Sequence, residues 1–313
     1  MDEIETLHIN KSRAFIDFML SQQQWSGLTK IDVEKWLSNF RELQPKEMIL
    51  VFKLLTNLIY FSEKDVLEAL KEGIHNCLFY NVILEKQKAA NFNLSQHALS
   101  AITKLELRKT CFIPLLDSDS PHESGNYVTR MLVQHGLIQP NQSMFLNKIV
   151  TEIRKQNFSR LVIVDDCVGS GDQLKGFWNT AVVNDKGNLI LLKDFCTQND
   201  IDANYLTLFG YNKSIDELKQ TFIDLKICCV RELSDVQRVF ANNSYIWSNE
   251  NERNEALMLF NDMTGNCGIP LYGYKGLDFA FIMHQTIPDW SLPLLWKENA
   301  DWKLLMRRKN SNA

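Results

Sequence analysis

A chain of 313 residues that is 45% hydrophobic and 23% charged can bury a large core and is too apolar to be disordered. Its formal net charge of −4 gives no global basic field for nucleic acid, and no run of about 18 apolar residues reads as a membrane span. The polar start MDEIETLHINKSR carries no secretory pattern, so the expected compartment is the cytoplasm.

The seven cysteines form no C-x-x-C pair, and the six histidines show no H-x-x-x-H or H-E-x-x-H spacing. Reduced, mostly buried thiols are expected, without a structural zinc site.

In chain order, residues 1–105 read as helices. Ile31, Trp36 and Phe40, then Phe52, Leu55, Leu58 and Ile59, recur largely at spacings of three and four, and glycine is rare. Ser62-Glu63-Lys64-Asp65 resembles a capping box opening a further helix, with Val66, Leu67 and Leu70 on its buried side. From about residue 108 the period changes. KTCFIPLLD reads as a strand, the polar loop DSDSPHESGN follows, and YVTRMLVQHGLI reads as a helix. SRLVIVDD is a second strand, with a helix starting near Lys175; ANYLTLFGY and FIDLKICCV are two more, separated by the helix SIDELKQT.

Nearly continuous apolar strands alternating with helices predict an α/β fold, a parallel sheet covered on both faces, and ligands bind such sheets beyond the carboxyl ends of their strands. The tail GYKGLDFAFIMHQTIPDWSLPLLW, rich in proline and tryptophan, reads as an ordered, irregular wrap. The predicted division is a helical region at 1–105, an α/β domain at 106–264, and a C-terminal segment at 265–313 packing on that domain.

The stretch that carries chemistry is LVIVDDCVGSGDQ, residues 161–173. Four apolar residues run into Asp165 and Asp166, then into a turn with glycine at 169 and 171, then into a helix. Glycines let backbone N–H groups converge, the helix start adds its positive dipole end, and Ser170 adds a hydroxyl, which together suit a phosphate. Two carboxylates one step earlier suit the vicinal hydroxyls of a sugar attached to that phosphate. A G-x-G alone also occurs in metal sites, response-regulator-like sites and plain turns; the ordered combination points to a ribose 5-phosphate.

This stretch resembles the signature of type I phosphoribosyltransferases, the loop that binds phosphoribosyl pyrophosphate (PRPP). The resemblance implies that Asp165 and Asp166 hold the ribose hydroxyls and are the catalytic acids. It places Val168, Gly169, Ser170, Gly171, Asp172 and Gln173 around the 5-phosphate, and implies Mg²⁺ accompanying the pyrophosphate. An earlier loop, with Ser124 and Gly125 as candidates, occupies the place of the family's pyrophosphate loop, without its usual glycine-rich wording. Purine-salvage members carry an acid where this chain has Gly169, and no nucleobase-binding hood is recognisable.

The whole chain resembles the divergent PRTase-CE group, through WLSNF…LLTNLIYFSEKDV near its start and GYKG…HQTIPDWSLPLLW near its end. That resemblance implies an anti-phage effector acting on nucleotides or nucleic acid, partnered in retrons by a reverse transcriptase and its RNA–DNA product, and often homodimeric. His284, Asp289 and Trp290 are candidates for the acceptor side, although a half-buried histidine and a core tryptophan are the plainer reading. His122 and Glu123 invite an acid–base reading, and Arg130 and Lys175 a phosphate contact; solvated loop and helix-surface groups are the ordinary account. The rival class is a non-catalytic nucleotide sensor of the same fold.

Overall fold

The computed structural model describes residues 3–116, 124–284 and 286–308. The chain forms two compact units, one of Leu67–Leu233 and one of Met1–Val66 with Ser234–Ala313. In chain order the helices and strands are α1 (Glu3–Ser21), α2 (Lys30–Leu37), α3 (Pro45–Thr56), β1 (Ile59–Phe61), α4 (Glu63–Glu72), α5 (Tyr80–Ala89), α6 (Gln96–Arg108), β2 (Thr110–Pro114), α7 (Ser124–Gln134) and α8 (Ile149–Gln156). They continue with β3 (Arg160–Val168), α9 (Asp172–Thr180), β4 (Val182–Asp185), β5 (Asn188–Leu191), α10 (Leu192–Gln198), β6 (Asp202–Tyr211), α11 (Asn212–Thr221), β7 (Lys226–Leu233), α12 (Glu250–Asn266) and β8 (Phe281–Met283).

The Leu67–Leu233 unit is built on a parallel sheet of order β2-β3-β6-β7. β-Branched and aromatic residues fill β3 and β6, and both strands are buried at nearly every position, so the sheet is covered on both faces. Leu161, Ile163 and Tyr205 share one core with Leu174 and Trp178 of α9 and with Ile215 and Leu218 of α11. On the opposite face α7 packs against β2 and β3, and a single π turn at Gly73–Cys77 packs against β6 and β7.

The amino ends of the strands are closed by charge. Arg160 Nε donates to Asp202 Oδ2 (2.9 Å) and Arg160 Nη1 to Glu106 Oε2 (3.3 Å), Lys226 Nζ lies 2.7 Å from Asp202 Oδ1, and the guanidinium sits over the Phe79 ring. Burial pulls the Asp202 carboxyl upward, but its bonds to Lys226 and Arg160 win and hold it below the usual range.

In the other unit the three residues of β1 pair in parallel with β8. Tryptophan indoles tie distant segments into its core: Trp36 Nε1 and Trp302 Nε1 both donate to the Leu294 carbonyl, at 2.9 and 2.8 Å. Phe40 stands edge-on to both Phe260 and Trp302. The capping box at Ser62 is present: Ser62 N–H donates to Asp65 Oδ2 (2.9 Å) and Asp65 N–H to Ser62 Oγ (3.3 Å).

The strand and helix alternation that the sequence predicts is present, with the helices α8, α10 and α12 and the antiparallel hairpin β4–β5 in addition. Ile59–Phe61, read as helical, is the strand β1, drawn out by its pairing with β8. The division at 105 and 264 is corrected. Helices α5 and α6 belong to the α/β unit, whereas 234–264 and the tail belong with the N-terminal helices. The physical reason is the β1–β8 pairing and the indole bonds, long-range contacts that leave no local period.

Ile163 is fully enclosed at the centre of β3. Ile163→Ala is expected to destabilise the protein by about 2–5 kcal/mol, read as a lower urea midpoint with unchanged slope.

Candidate functional site

Strand β3 runs in the middle of the sheet, so its carboxyl end is flanked by β2 and β6. Consecutive strand residues point to opposite faces, and the regular register Asp165↔Thr207 and Cys167↔Phe209 keeps that alternation to the tip. Asp165 therefore turns to the face of Ile163 and Tyr205, and Asp166 to the face of Val162 and Val164. The two adjacent acids have different surroundings.

Asp165 is enclosed. Its Oδ2 accepts from the Tyr205 hydroxyl at 3.0 Å, and its Oδ1 accepts from the Asp166 N–H at 2.9 Å. Burial, and after it the Asp166 carboxylate, pushes the Asp165 carboxyl well above the usual range. Burial, and after it Asp165, likewise raises the Tyr205 phenol, which stays a hydrogen-bond donor. Asp166 lies nearer the strand tip, and its Oδ1 accepts from the Cys167 N–H at 2.7 Å.

After Val168 the chain turns sharply. Gly171 caps α9 in the left-handed conformation, φ +80°, and an added Cβ would stand 3.1–3.2 Å from the Leu218 side chain. Only glycine meets both conditions without strain. Helix α9 begins at Asp172, three residues earlier than the sequence pattern places it. The Asp172 N–H reaches Ser170 Oγ at 3.3 Å, and the first intrahelical bond is donated by Lys175 to the Gly171 carbonyl.

The N–H groups of Gly169, Ser170, Gly171, Gln173 and Leu174 have no acceptor among the described residues. Gly169, Gly171 and Leu174 are themselves buried. Buried backbone donors are normally paired, so five open ones on consecutive turns form a cradle for an anion, reinforced by the helix dipole. Asp172, in the first helical turn, is where a carboxylate favours that dipole.

The other candidates are distributed as follows. Gly125 opens α7, where an added Cβ would overlap the Leu115 carbonyl, so glycine lets the start of α7 close on the end of β2. The side chain of Ser124, and all of His122 and Glu123, lie outside the described residues. Lys175 is paired with Glu217, and the Arg130 guanidinium lies over the Tyr127 ring.

His284, Asp289 and Trp290 belong to the other compact unit. There Trp290 packs on Phe279 and Phe281 as core, and Asp289 Oδ2 stands 3.9 Å from Arg308. Among the described residues no group of three or more histidine, cysteine or acidic side chains is placed to hold a metal, and no helix is long and apolar enough to cross a membrane.

Tyr205 is the site residue that sequence reading passes over. A signal existed: a tyrosine inside the apolar strand ANYLTLFGY must find a partner for its hydroxyl, and a strand-end carboxylate is the nearest chemistry.

The raised Asp165 carboxyl carries a sign. The fold holds a proton that the unfolded chain has lost, so this group's contribution to stability declines as pH rises from about 4 toward its folded value. Asp165→Asn removes that decline. It should melt above the wild type at pH 8 and converge with it toward pH 4; equal offsets at both pH values would contradict the assignment.

No curated protein and no solved structure matches the chain. A family model for PRTase-CE matches residues 33–308, most of the chain, which thus belongs to the PRTase-CE family and is phosphoribosyltransferase-like.

Proposed function

We propose that the β3–α9 turn binds the 5-phosphate of a ribose phosphate, with PRPP as the first candidate, and that the chain is a pentosyl-transferring effector. The observation that carries this reading is the set of five unpaired N–H donors on a left-handed glycine turn at the carboxyl end of a central parallel strand. The turn supplies neutral donors only, and it takes a phosphate without a side-chain cation.

In this reading the acids divide the work. Asp166 is the ribose ligand, accepting from the vicinal hydroxyls. Asp165 holds the Asp166 N–H and is itself held by Tyr205, so it positions the strand tip. Mg²⁺ bound to the pyrophosphate would neutralise its charge, and since no acidic cluster among the described residues is placed to hold a metal, the diphosphate and water would supply most of its ligands. In the reaction the bond from ribose C1 to pyrophosphate breaks, the turn and Asp166 hold the sugar while positive charge develops at C1, and a nucleophile forms the new bond there.

Gly125 lets the start of α7 approach the end of β2, which suits it and Ser124 to the pyrophosphate side. The setting we propose is anti-phage defence, with a reverse transcriptase and its RNA–DNA product as partners and nucleotides or nucleic acid as the target. The enclosure of Asp165, with its Tyr205 and Asp166 N–H partners, favours one second reading: one acid at the strand tip suffices for a sensor that binds a nucleotide without turnover.

Calorimetric titration of PRPP with Mg²⁺, paired with an assay for pyrophosphate release, tests the site. Asp166→Asn should weaken binding about 10- to 100-fold, the loss expected of a charged hydrogen bond. Tyr205→Phe should weaken it less, because Asp165 acts through the backbone. Pyrophosphate released by wild type identifies the enzyme, and tight binding without release identifies the sensor. Absence of binding by PRPP and by ribose 5-phosphate would overturn the site.

Gly171→Ala should cost about 1–2 kcal/mol of stability, since alanine is strained in the left-handed region. It should also weaken phosphate binding, whereas Gly187→Ala, at an exposed turn of the same φ sign, should cost stability alone.

A further inference from the structure

We propose that Ser26, His284 and Glu63 form a second, nucleophilic site, a serine–histidine–carboxylate array suited to taking the acyl group of a carboxylic ester. The three residues come from distant parts of the chain and meet within one compact unit. The parallel pairing of β1 with β8 aligns Phe61 with Met283, and just beyond it the His284 N–H donates to the Phe61 carbonyl at 2.8 Å. That bond sets the imidazole beside Glu63, the first residue of α4. Ser26 lies in the turn between α1 and α2.

Ser26 Oγ is 3.0 Å from His284 Nδ1, and His284 Nε2 is 3.8 Å from Glu63 Oε2. The Tyr60 hydroxyl accepts from the Gly27 N–H at 2.6 Å. A Cβ on residue 27 would overlap the His284 carbonyl and crowd the Tyr60 hydroxyl, so glycine is what lets the serine turn close on the histidine. The Ser26 N–H has no acceptor among the described residues and sits beside its own Oγ, where it can donate to a developing oxyanion. Next to Ser26, the buried Trp25 ring meets the partly exposed Phe15 edge-on, an apolar surface for an acyl chain.

The roles follow from the atoms. In the tautomer protonated at Nε2, His284 Nδ1 is placed to accept the serine proton, and the Nε2–H faces the Glu63 carboxylate. Ser26 Oγ bonds to the ester carbonyl carbon while its proton passes to Nδ1. The bond to the alcohol oxygen then breaks, and that oxygen takes the proton. A water deprotonated by the same imidazole releases the acid and restores the serine, so ester and water yield acid and alcohol.

The test uses the full chain with a fluorophosphonate probe and with p-nitrophenyl acetate. Wild type should be labelled at Ser26, mapped by peptide mass spectrometry, and Ser26→Ala should lose the label. His284→Gln should lower ester turnover by about 10²-fold or more, the usual worth of a general base. Glu63→Gln should lower it less and shift the acid limb of its pH profile. Melting curves check that each variant folds, and the mapped label on wild type decides the matter if one does not. Failure of the probe to label wild type, a label mapped to another residue, or ester turnover equal in wild type and Ser26→Ala would overturn the proposal.

Discussion

The turn between β3 and α9 leaves backbone donors that the fold itself does not use, and the rest of the α/β unit is arranged around keeping them in place. A parallel strand must end before its helix can cross back over the sheet, and the reversal here takes only Gly169, Ser170 and Gly171. The left-handed φ at Gly171 and the Leu218 side chain against it fix the direction in which α9 departs. An anion at that point satisfies groups that would otherwise be buried unpaired, which is why the phosphate reading follows from the backbone before any side chain is considered.

The two acids extend the same logic. Enclosing Asp165 beneath the strand tip is electrostatically unfavourable, and a sequence selected for stability alone would replace it. Its retention beside Tyr205, with the Asp166 N–H held on its other oxygen, makes sense where the orientation of Asp166 matters more than the lost stability. At the opposite edge of the sheet the buried Arg160 has two carboxylate partners, Glu106 and Asp202, and closes the strands. One end of the sheet is internally neutralised and the other is built to receive charge.

Much of this was legible in the sequence, for physical reasons that differ by element. β3 and β6 announce themselves because a strand covered on both faces carries a nearly continuous apolar run, and Gly171 because a left-handed residue before a helix favours glycine. The hairpin β4–β5 did not, since VVND and NLIL are short and partly exposed and carry no strong alternation. The opposite orientations of Asp165 and Asp166 follow from strand alternation, yet they become visible only once the strand is known to extend to Val168. The division into units was illegible because it rests on a three-residue β1 pairing with β8 and on indoles reaching the Leu294 carbonyl. Local periodicity says that a segment is helical, not which core it joins.

The most direct measurement is a ¹⁵N–¹H spectrum of protein labelled only at its 13 glycines, titrated with ribose 5-phosphate. If the turn holds the phosphate through its backbone, the Gly169 and Gly171 amides move downfield and saturate together, while exposed glycines such as Gly187 stay still. Unmoved Gly169 and Gly171 signals at saturating ligand would contradict the account.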